Sequence, residues 1–166
     1  MFGFDIKSST KGELYQDLLS AIDGLTAGEP DPIANMANVA ALIWEYLPDL
    51  NWAGFYRLMG GELVLGPFQG KVACIRIAVG TGVCGAAAAT LQTQVVKDVH
   101  AFPGHIACDA ASQSELVVPI IYDGRLIAVL DLDSPMLSRF DGDDAVGLEA
   151  IVALIAPRLW PKTGQF

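Results

Sequence analysis

Two runs of apolar, β-branched residues joined by Asp123 and Gly124 form the clearest hairpin in this sequence. An Asp-Gly pair accepts the positive φ angles that a two-residue hairpin turn requires, which favours strands over residues 115–122 and 125–133. The remaining predicted strands are residues 51–59 and 62–65, joined by a Gly-Gly turn, and the short runs 74–79 and 94–96. The middle of the chain therefore predicts an antiparallel sheet.

Helical periodicity is found both before and after this region, where apolar residues recur every three or four positions. The predicted helices are residues 11–25, 32–47 and 142–159, together with a short alanine-rich helix over 83–91. The N-cap candidates of the three long helices are Thr10, with Glu13 at capping-box spacing, Asp31, with Pro32 next to it, and Asp141. Helices at both ends of an antiparallel sheet predict an α+β fold.

Length and composition limit the class of protein. The chain has 166 residues, and we expect a single domain, with N-terminal helices over about 11–47, a sheet with active-site loops over about 51–133 and a C-terminal helix over about 142–159. A net charge of −9 argues against binding to nucleic acid or to anionic membranes. No apolar run is long enough for a signal peptide or a membrane-spanning helix. An odd number of cysteines without a signal peptide is typical of cytoplasmic thiols, so we expect a cytoplasmic protein.

The three cysteines are concentrated between residues 74 and 108. Cys108 lies beside Asp109 in a loop predicted over residues 99–114, where a thiol can be exposed and reactive. Cys74, in a β-branched strand, fits a small buried hydrophobe by pattern alone, and Cys84 fits either role. A thiol nucleophile, a thiol to resolve it and carboxylates that hold a small polar substrate would make a thiol-dependent redox enzyme.

Three acidic residues follow the cysteines. Asp131 and Asp133 are two positions apart, so their side chains point to one face of a strand, together with Ile127 and Val129. Carboxylates on an apolar face are costly unless they line a polar pocket or bind a ligand. An ammonium group is a suitable ligand, and neighbouring carboxylates raise each other's pKa, so one can remain protonated near neutral pH. Glu115 begins the preceding predicted strand and is the third candidate.

Six short segments resemble one enzyme family: NWAGFY, GPFQGKVACIRI, GVCG, HIACDAAS, SELVVPI and LDLDS. They are similar to the free methionine-(R)-sulfoxide reductases, which are GAF-domain enzymes, and the resemblance extends from about Tyr46 to the last helix. It implies a GAF-like domain, in which a central antiparallel sheet has the N- and C-terminal helices packed on one side.

The resemblance also implies the chemistry. The expected reaction is thiol-dependent reduction of free L-methionine-(R)-sulfoxide to methionine, without a cofactor, with thioredoxin as the electron donor and a homodimer as the usual assembly. By resemblance, Cys108 is the nucleophile that becomes a sulfenic acid, Cys74 is the principal resolving thiol and Cys84 is an auxiliary one. The substrate-binding carboxylates implied by the resemblance are Glu115, Asp131 and Asp133. One carboxyl that stays protonated could protonate the sulfoxide oxygen, and we assign this role to Asp133.

Other interpretations of these residues remain open. Trp52 and Tyr56 match the aromatic wall of the family's pocket, but they share a strand face and suit a hydrophobic core equally well. The three cysteines with His105 could instead bind zinc, although the sequence contains no Cys-x-x-Cys pair and we expect no metal. The main alternative function is a GAF-type sensor that binds a small molecule without chemistry. The clustered cysteines, and the lack of an output domain in this sequence, favour the enzyme.

Overall fold

A six-stranded antiparallel sheet forms the centre of the structure, a computed structural model that describes residues 10–104 and 109–160. The strands are β1 Trp52–Met59, β2 Glu62–Gly70, β3 Arg76–Ala78, β4 Gln94–Val96, β5 Ser114–Tyr122 and β6 Arg125–Ser134. The helices are α1 Lys11–Thr26, α2 Pro32–Tyr46, α3 Gly82–Thr90 and α4 Gly142–Leu159. The strand order is β3-β2-β1-β6-β5-β4, which confirms the α+β class. None of the described helices combines the length and apolarity that a membrane crossing needs.

The two faces of the sheet carry separate clusters of buried side chains, because successive residues of a strand point to opposite faces. Phe55 of β1 and Leu130 of β6 pack on the face that α1, α2 and α4 cover. Tyr56 and Val129, one position away in each strand, pack on the other face beneath α3. The predicted arrangement, with the N- and C-terminal helices on one side, is confirmed. Of the described residues, those of short α3 and of loops cover the opposite side, which leaves room for a pocket.

The predicted N-caps of the three long helices are confirmed. Thr10 and Glu13 form a capping box, in which each side chain accepts a hydrogen bond from the other residue's backbone N–H. The carboxylate of Asp31 accepts from the third residue of α2. Asp141 and Asp144 form a second capping box at α4. Each cap supplies an acceptor to backbone N–H groups that have no partner within the helix.

A buried carboxylate joins the first helix to the last. Asp144, in the first turn of α4, is fully buried and accepts a hydrogen bond from the Tyr15 hydroxyl at 2.8 Å. It also pairs with Lys11 at 2.8 Å and with Arg139 at 3.2 Å. A buried carboxylate is costly unless such partners surround it, so these contacts hold α1 against α4. A Cβ atom at Gly147 would overlap the Tyr15 ring, so glycine permits the close approach of the two helices.

The second strand is longer, and the third shorter, than the sequence predicts. β2 continues through two glycines and a proline as far as Gly70, which pairs with Trp52 of β1. Glycine and proline have low strand propensity, so pairing with β1 rather than local sequence extends β2. β3 keeps only residues 76–78, and Cys74 therefore lies in the connection before the strand. The predicted loop 99–114 also contains a short 3₁₀ helix, Val99–Ala101.

A β-bulge near the start of β6 shifts the alternation of its side chains. The adjacent β5 residues Ile120 and Ile121 pair with Ala128 and Leu126, which leaves Ile127 as the extra residue. Ile127 consequently packs against the helix-covered core, whereas Leu126 packs against the opposite cluster. The prediction that Ile127 shares a face with the two aspartates is therefore wrong. On the pocket face of β6, Leu126 occupies the place that strict alternation would give to Ile127.

Candidate active site

A pocket opens on the sheet face opposite α1, α2 and α4, beside the N-terminus of α3. It brings together these residues predicted from the sequence: Trp52, Tyr56, Cys84, Glu115, Asp131 and Asp133. They come from β1, α3, β5 and β6, so the pocket exists only after the sheet has formed. Cys108 and His105 lie outside the described residues.

The aromatic wall lies on β1. Trp52 and Tyr56 are both buried, and their rings stack with centroids 5.7 Å apart. Phe68 of β2 stacks on the other side of Trp52 with a centroid distance of 5.2 Å. The Trp52 indole N–H donates to the backbone carbonyl of Lys71 at 3.1 Å. These contacts hold Trp52 in place. Phe68 stacks on Trp52 but does not line the pocket, and the sequence did not predict this contact because Phe68 lies in the unpredicted part of β2.

Three carboxyl groups face this wall. Asp133 pairs with Trp52 on one side and with Glu115 on the other, and Asp131 lies two residues before it on the same face. Glu115 and Asp131 are only 6% and 5% exposed. Burial raises the pKa of Glu115 well above its usual range, and the charges on Asp131 and Asp133 raise it further.

The pKa of the two aspartates is raised as well. Burial raises the pKa of Asp131 to about 7, although hydrogen bonds with Cys84 and Glu115 oppose this shift. Burial, followed by the charge on Asp131, also raises the pKa of Asp133, and a hydrogen bond with Ser112 opposes it. Because one charge disfavours the next in a group excluded from water, the three carboxyls hold protons to a higher pH than they would in water.

Cys84 is placed in the pocket by the first turn of α3. Its sulfur lies 4.0 Å from Glu115 Oε1, and its side chain is buried. Burial raises the pKa of the Cys84 thiol, and the carboxylates of Asp131 and Glu115 raise it further. Gly85 allows α3 to approach the sheet, since a Cβ there would lie 2.5 Å from the Ala78 carbonyl oxygen. Cys84 is therefore a protonated free thiol and not a nucleophilic thiolate.

Cys74 occupies a different position. It is half-buried in the connection between β2 and β3, where it packs against the pocket-side cluster. It is disulfide-bonded, whereas Cys84 is free. The two cysteines thus differ in bonding and in burial. The zinc site suggested by the three cysteines and His105 cannot use Cys74 in this state, because a disulfide sulfur is not a thiolate ligand.

A polar network that the sequence did not predict connects residues at the rim of the pocket. The Asn51 amide donates to Asp109 at 3.3 Å and to Ser112 at 3.0 Å, and its backbone N–H donates to the Asp133 carbonyl oxygen at 3.0 Å. The Lys71 ammonium pairs with Asp109 at 3.2 Å. All four rim residues lie inside or next to the segments that carry the family resemblance, which was the available signal. The network links residue 109, directly after Cys108, to the strand that bears Asp133.

Comparison with known proteins agrees with this geometry. The model of the GAF domain family matches residues 31–159. The free methionine-R-sulfoxide reductase of Escherichia coli is 54% identical over 143 residues, which are 86% of this chain and 87% of that protein. The structure of the Neisseria meningitidis free methionine-R-sulfoxide reductase in complex with its substrate has a TM-score of 0.93 and 45% identity, and covers 96% of both chains. The reduced form of the Staphylococcus aureus enzyme has a TM-score of 0.85 and 50% identity, over 88% of this chain and 95% of that one.

Proposed function

Since the chain belongs to the GAF-domain family and, within it, to the free methionine-(R)-sulfoxide reductases, we propose that it reduces free L-methionine-(R)-sulfoxide to L-methionine. The observation that carries this proposal is the pocket in which Glu115, Asp131 and Asp133 face the stacked rings of Trp52 and Tyr56. The acidic side suits an ammonium group, and the aromatic side suits a methyl sulfoxide. A free amino acid carries both groups.

Substrate binding begins with the ammonium group. In this proposal Glu115 and Asp131 hold it, because both are buried and a buried negative charge is stabilised by a positive partner. The methyl and sulfur end of the substrate then lies against Trp52 and Tyr56. A methionine sulfoxide within a polypeptide has no free ammonium group, so the same carboxyls select for the free amino acid.

The reducing step needs a thiolate and a proton. Cys108 attacks the sulfoxide sulfur, and Asp133 supplies the proton that the departing oxygen requires. The raised pKa of Asp133 supports this role, because it allows the carboxyl to hold a proton near neutral pH. The oxygen ends on Cys108, which becomes a sulfenic acid as methionine leaves.

Resolution requires a second thiol, and we assign this role to Cys74. Its thiol attacks the sulfenic sulfur, a Cys74–Cys108 disulfide forms, and the oxygen leaves as water, so two thiols supply the two electrons. This assignment is supported by the disulfide bond of Cys74, since Cys84 is a buried free thiol. Cys84 is the auxiliary thiol in this scheme. Thioredoxin would reduce the disulfide, and the assembly would be a homodimer.

The function is tested with the protein, dithiothreitol and an equal mixture of the R and S sulfoxides of L-methionine, followed by chiral separation. We expect the R diastereomer to be consumed and the S diastereomer to remain. The Cys108→Ser variant, checked for folding by circular dichroism, should consume neither. Persistence of both sulfoxides with the wild-type protein would refute the proposed reaction, and full turnover by the serine variant would refute the assigned nucleophile.

A further inference from the structure

Three buried ligand atoms at the base of the pocket lie close enough to share one cation. The Cys84 sulfur, one Glu115 carboxylate oxygen and one Asp131 carboxylate oxygen are all within 4.8 Å of one another. None of these residues is more than 6% exposed. Acidic groups at a surface stay hydrated, whereas the fold keeps these three groups out of water. On metal binding the Cys84 thiol would release its proton to water, and a thiolate with two carboxylates is a ligand combination that divalent transition metals accept.

A second observation points to a missing partner. Asp131 Oδ1 is buried and accepts no hydrogen bond from any described residue. A buried carboxylate oxygen without a donor carries an uncompensated desolvation cost. Asp131 lines the pocket together with Cys84 and Glu115. A cation that Asp131 binds through Oδ1 would satisfy this oxygen.

From this geometry we propose that the base of the pocket binds a thiophilic divalent cation such as Zn²⁺, which competes with the substrate's ammonium group. Zinc binds sulfur at about 2.3 Å and oxygen at about 2.0–2.2 Å in a tetrahedron, which sets its ligand atoms roughly 3.3–3.7 Å apart. The distance from Cys84 Sγ to Glu115 Oε1 is already 4.0 Å, so small side-chain rotations complete the site. Three protein ligands leave the fourth tetrahedral position to water.

The same ligand set disfavours the common hard cations. Mg²⁺ and Ca²⁺ prefer six or more oxygen ligands, and a thiolate gives them little. Binding therefore depends on Cys84, and this dependence separates the site from any hydrated acidic surface. Cation binding stands on this geometry alone, whereas the competition with substrate rests on the proposed function.

The binding test uses Cd²⁺ as a thiophilic probe, because a cadmium–thiolate bond gives an ultraviolet charge-transfer band. Protein with Cys74 in its disulfide is used, so that Cys84 is the free thiol among the described residues. We expect the band to saturate at one equivalent and to be absent in Cys84→Ser. Glu115→Gln and Asp131→Asn should each weaken binding at least about tenfold, since each removes a ligand.

The control is Asp98→Asn. This variant removes an exposed carboxylate that pairs with His100 at 3.0 Å. It should leave the band and the affinity unchanged. Circular dichroism checks the fold of each variant. A missing band in folded wild-type protein overturns the cation site, and so does an affinity equal to that of wild type in Glu115→Gln and Asp131→Asn.

Competition is measured separately by adding L-methionine to the cadmium titration. The apparent affinity for Cd²⁺ should fall, and an unchanged affinity overturns the competitive part of the proposal. Neither titration needs turnover. A protein that binds Cd²⁺ through Cys84 but reduces no sulfoxide would therefore retain the cation site and lose the proposed function.

Discussion

Asp133 of β6 is paired directly with Glu115 of β5, so a half-buried and a buried carboxyl group lie side by side on the pocket face of the sheet. Burial raises the pKa of both groups, and the charge on the neighbouring Asp131 raises both further. An arrangement of this kind disfavours two negative charges in the free protein. It is relieved either by a proton or by a cationic ligand, and the proposed reaction uses both.

The two carboxyls should respond differently to removal of their charge. Asp133→Asn should lower kcat by about 10²–10⁴-fold with a smaller change in KM, because the variant cannot supply the proton. Glu115→Gln should chiefly raise KM, because it weakens the ammonium contact. Steady-state kinetics with dithiothreitol measure both constants. If the loss of kcat/KM is divided in the same way between kcat and KM in both variants, the separate roles of Asp133 and Glu115 are wrong.

Acetylation of the substrate's amino group should make it a poor substrate. The acetylated compound has no positive charge, so the buried carboxyls of Glu115 and Asp131 would lose the ammonium contact that we propose for them. We expect a loss of several kcal/mol in transition-state binding, about 3 or more by analogy with a broken buried ion pair. The measurement is kcat/KM for both compounds with the same enzyme. Comparable values would show that the carboxyls do not select for the free amino acid.

Substitutions of Cys74 and Cys84 should differ in their effect on the step that returns the oxidised enzyme to its reduced form. Cys74→Ser should release about one methionine per chain in a single turnover but turn over slowly with thioredoxin, because attack on the substrate precedes resolution. Cys84→Ser should be milder and serves as the matched control. Mass spectrometry after addition of substrate alone should find a Cys74–Cys108 disulfide in the wild type. A predominant Cys84–Cys108 disulfide would exchange the two assignments.

Tyr15→Phe should destabilise the fold without affecting the pocket. The change removes the hydroxyl that donates to buried Asp144, and we expect the free energy of unfolding to fall by about 1–3 kcal/mol. Urea denaturation measures this loss. The control is Tyr122→Phe, because the half-buried Tyr122 has no hydroxyl hydrogen bond with a described residue. Equal stability of the two variants would contradict the inferred role of the buried hydrogen bond.

Stability should fall in acid partly through Asp141. The hydrogen bond from Lys11, aided by backbone N–H groups of Asp143 and Asp144, lowers the pKa of Asp141 to about 2 from the ordinary value of 3.8. A carboxyl whose pKa is lower in the folded state stabilises the fold at pH values above its pKa in the unfolded chain. This contribution disappears as the pH falls from about 4 towards 2. The effect should be small, since the side chain is largely exposed.

The acid effect is measured as the free energy of unfolding of wild type and Asp141→Asn between about pH 5 and pH 2. The wild-type value should decrease more steeply over this interval, and added salt should reduce the difference because the pair with Lys11 is screened. Parallel curves for the two proteins would rule out this contribution of Asp141.

Features that depend on a few neighbouring residues were predictable from the sequence. The α4 bounds and the capping residue Asp141 are as predicted, because caps and helical stripes depend on residues three or four positions apart. Asp123 and Gly124 both adopt positive φ, as the predicted hairpin requires. The pocket residues were identified from the segments that resemble the family, and alternation along a strand placed Asp131 and Asp133 on one face.

Only the tertiary structure decided features that depend on contacts between distant segments. The length of β2 and the bulge at Ile127 follow from pairing with other strands, which outweighs local propensity. The Lys71–Asp109 pair joins two loops whose proximity no local pattern encodes. The protonated state of Cys84 arises from burial beside Glu115 and Asp131, three residues that become neighbours only when α3 packs on β5 and β6. Local sequence thus determined the elements and their candidate chemistry, and packing determined the electrostatics of the site, because a pKa depends on which groups share the same dry space.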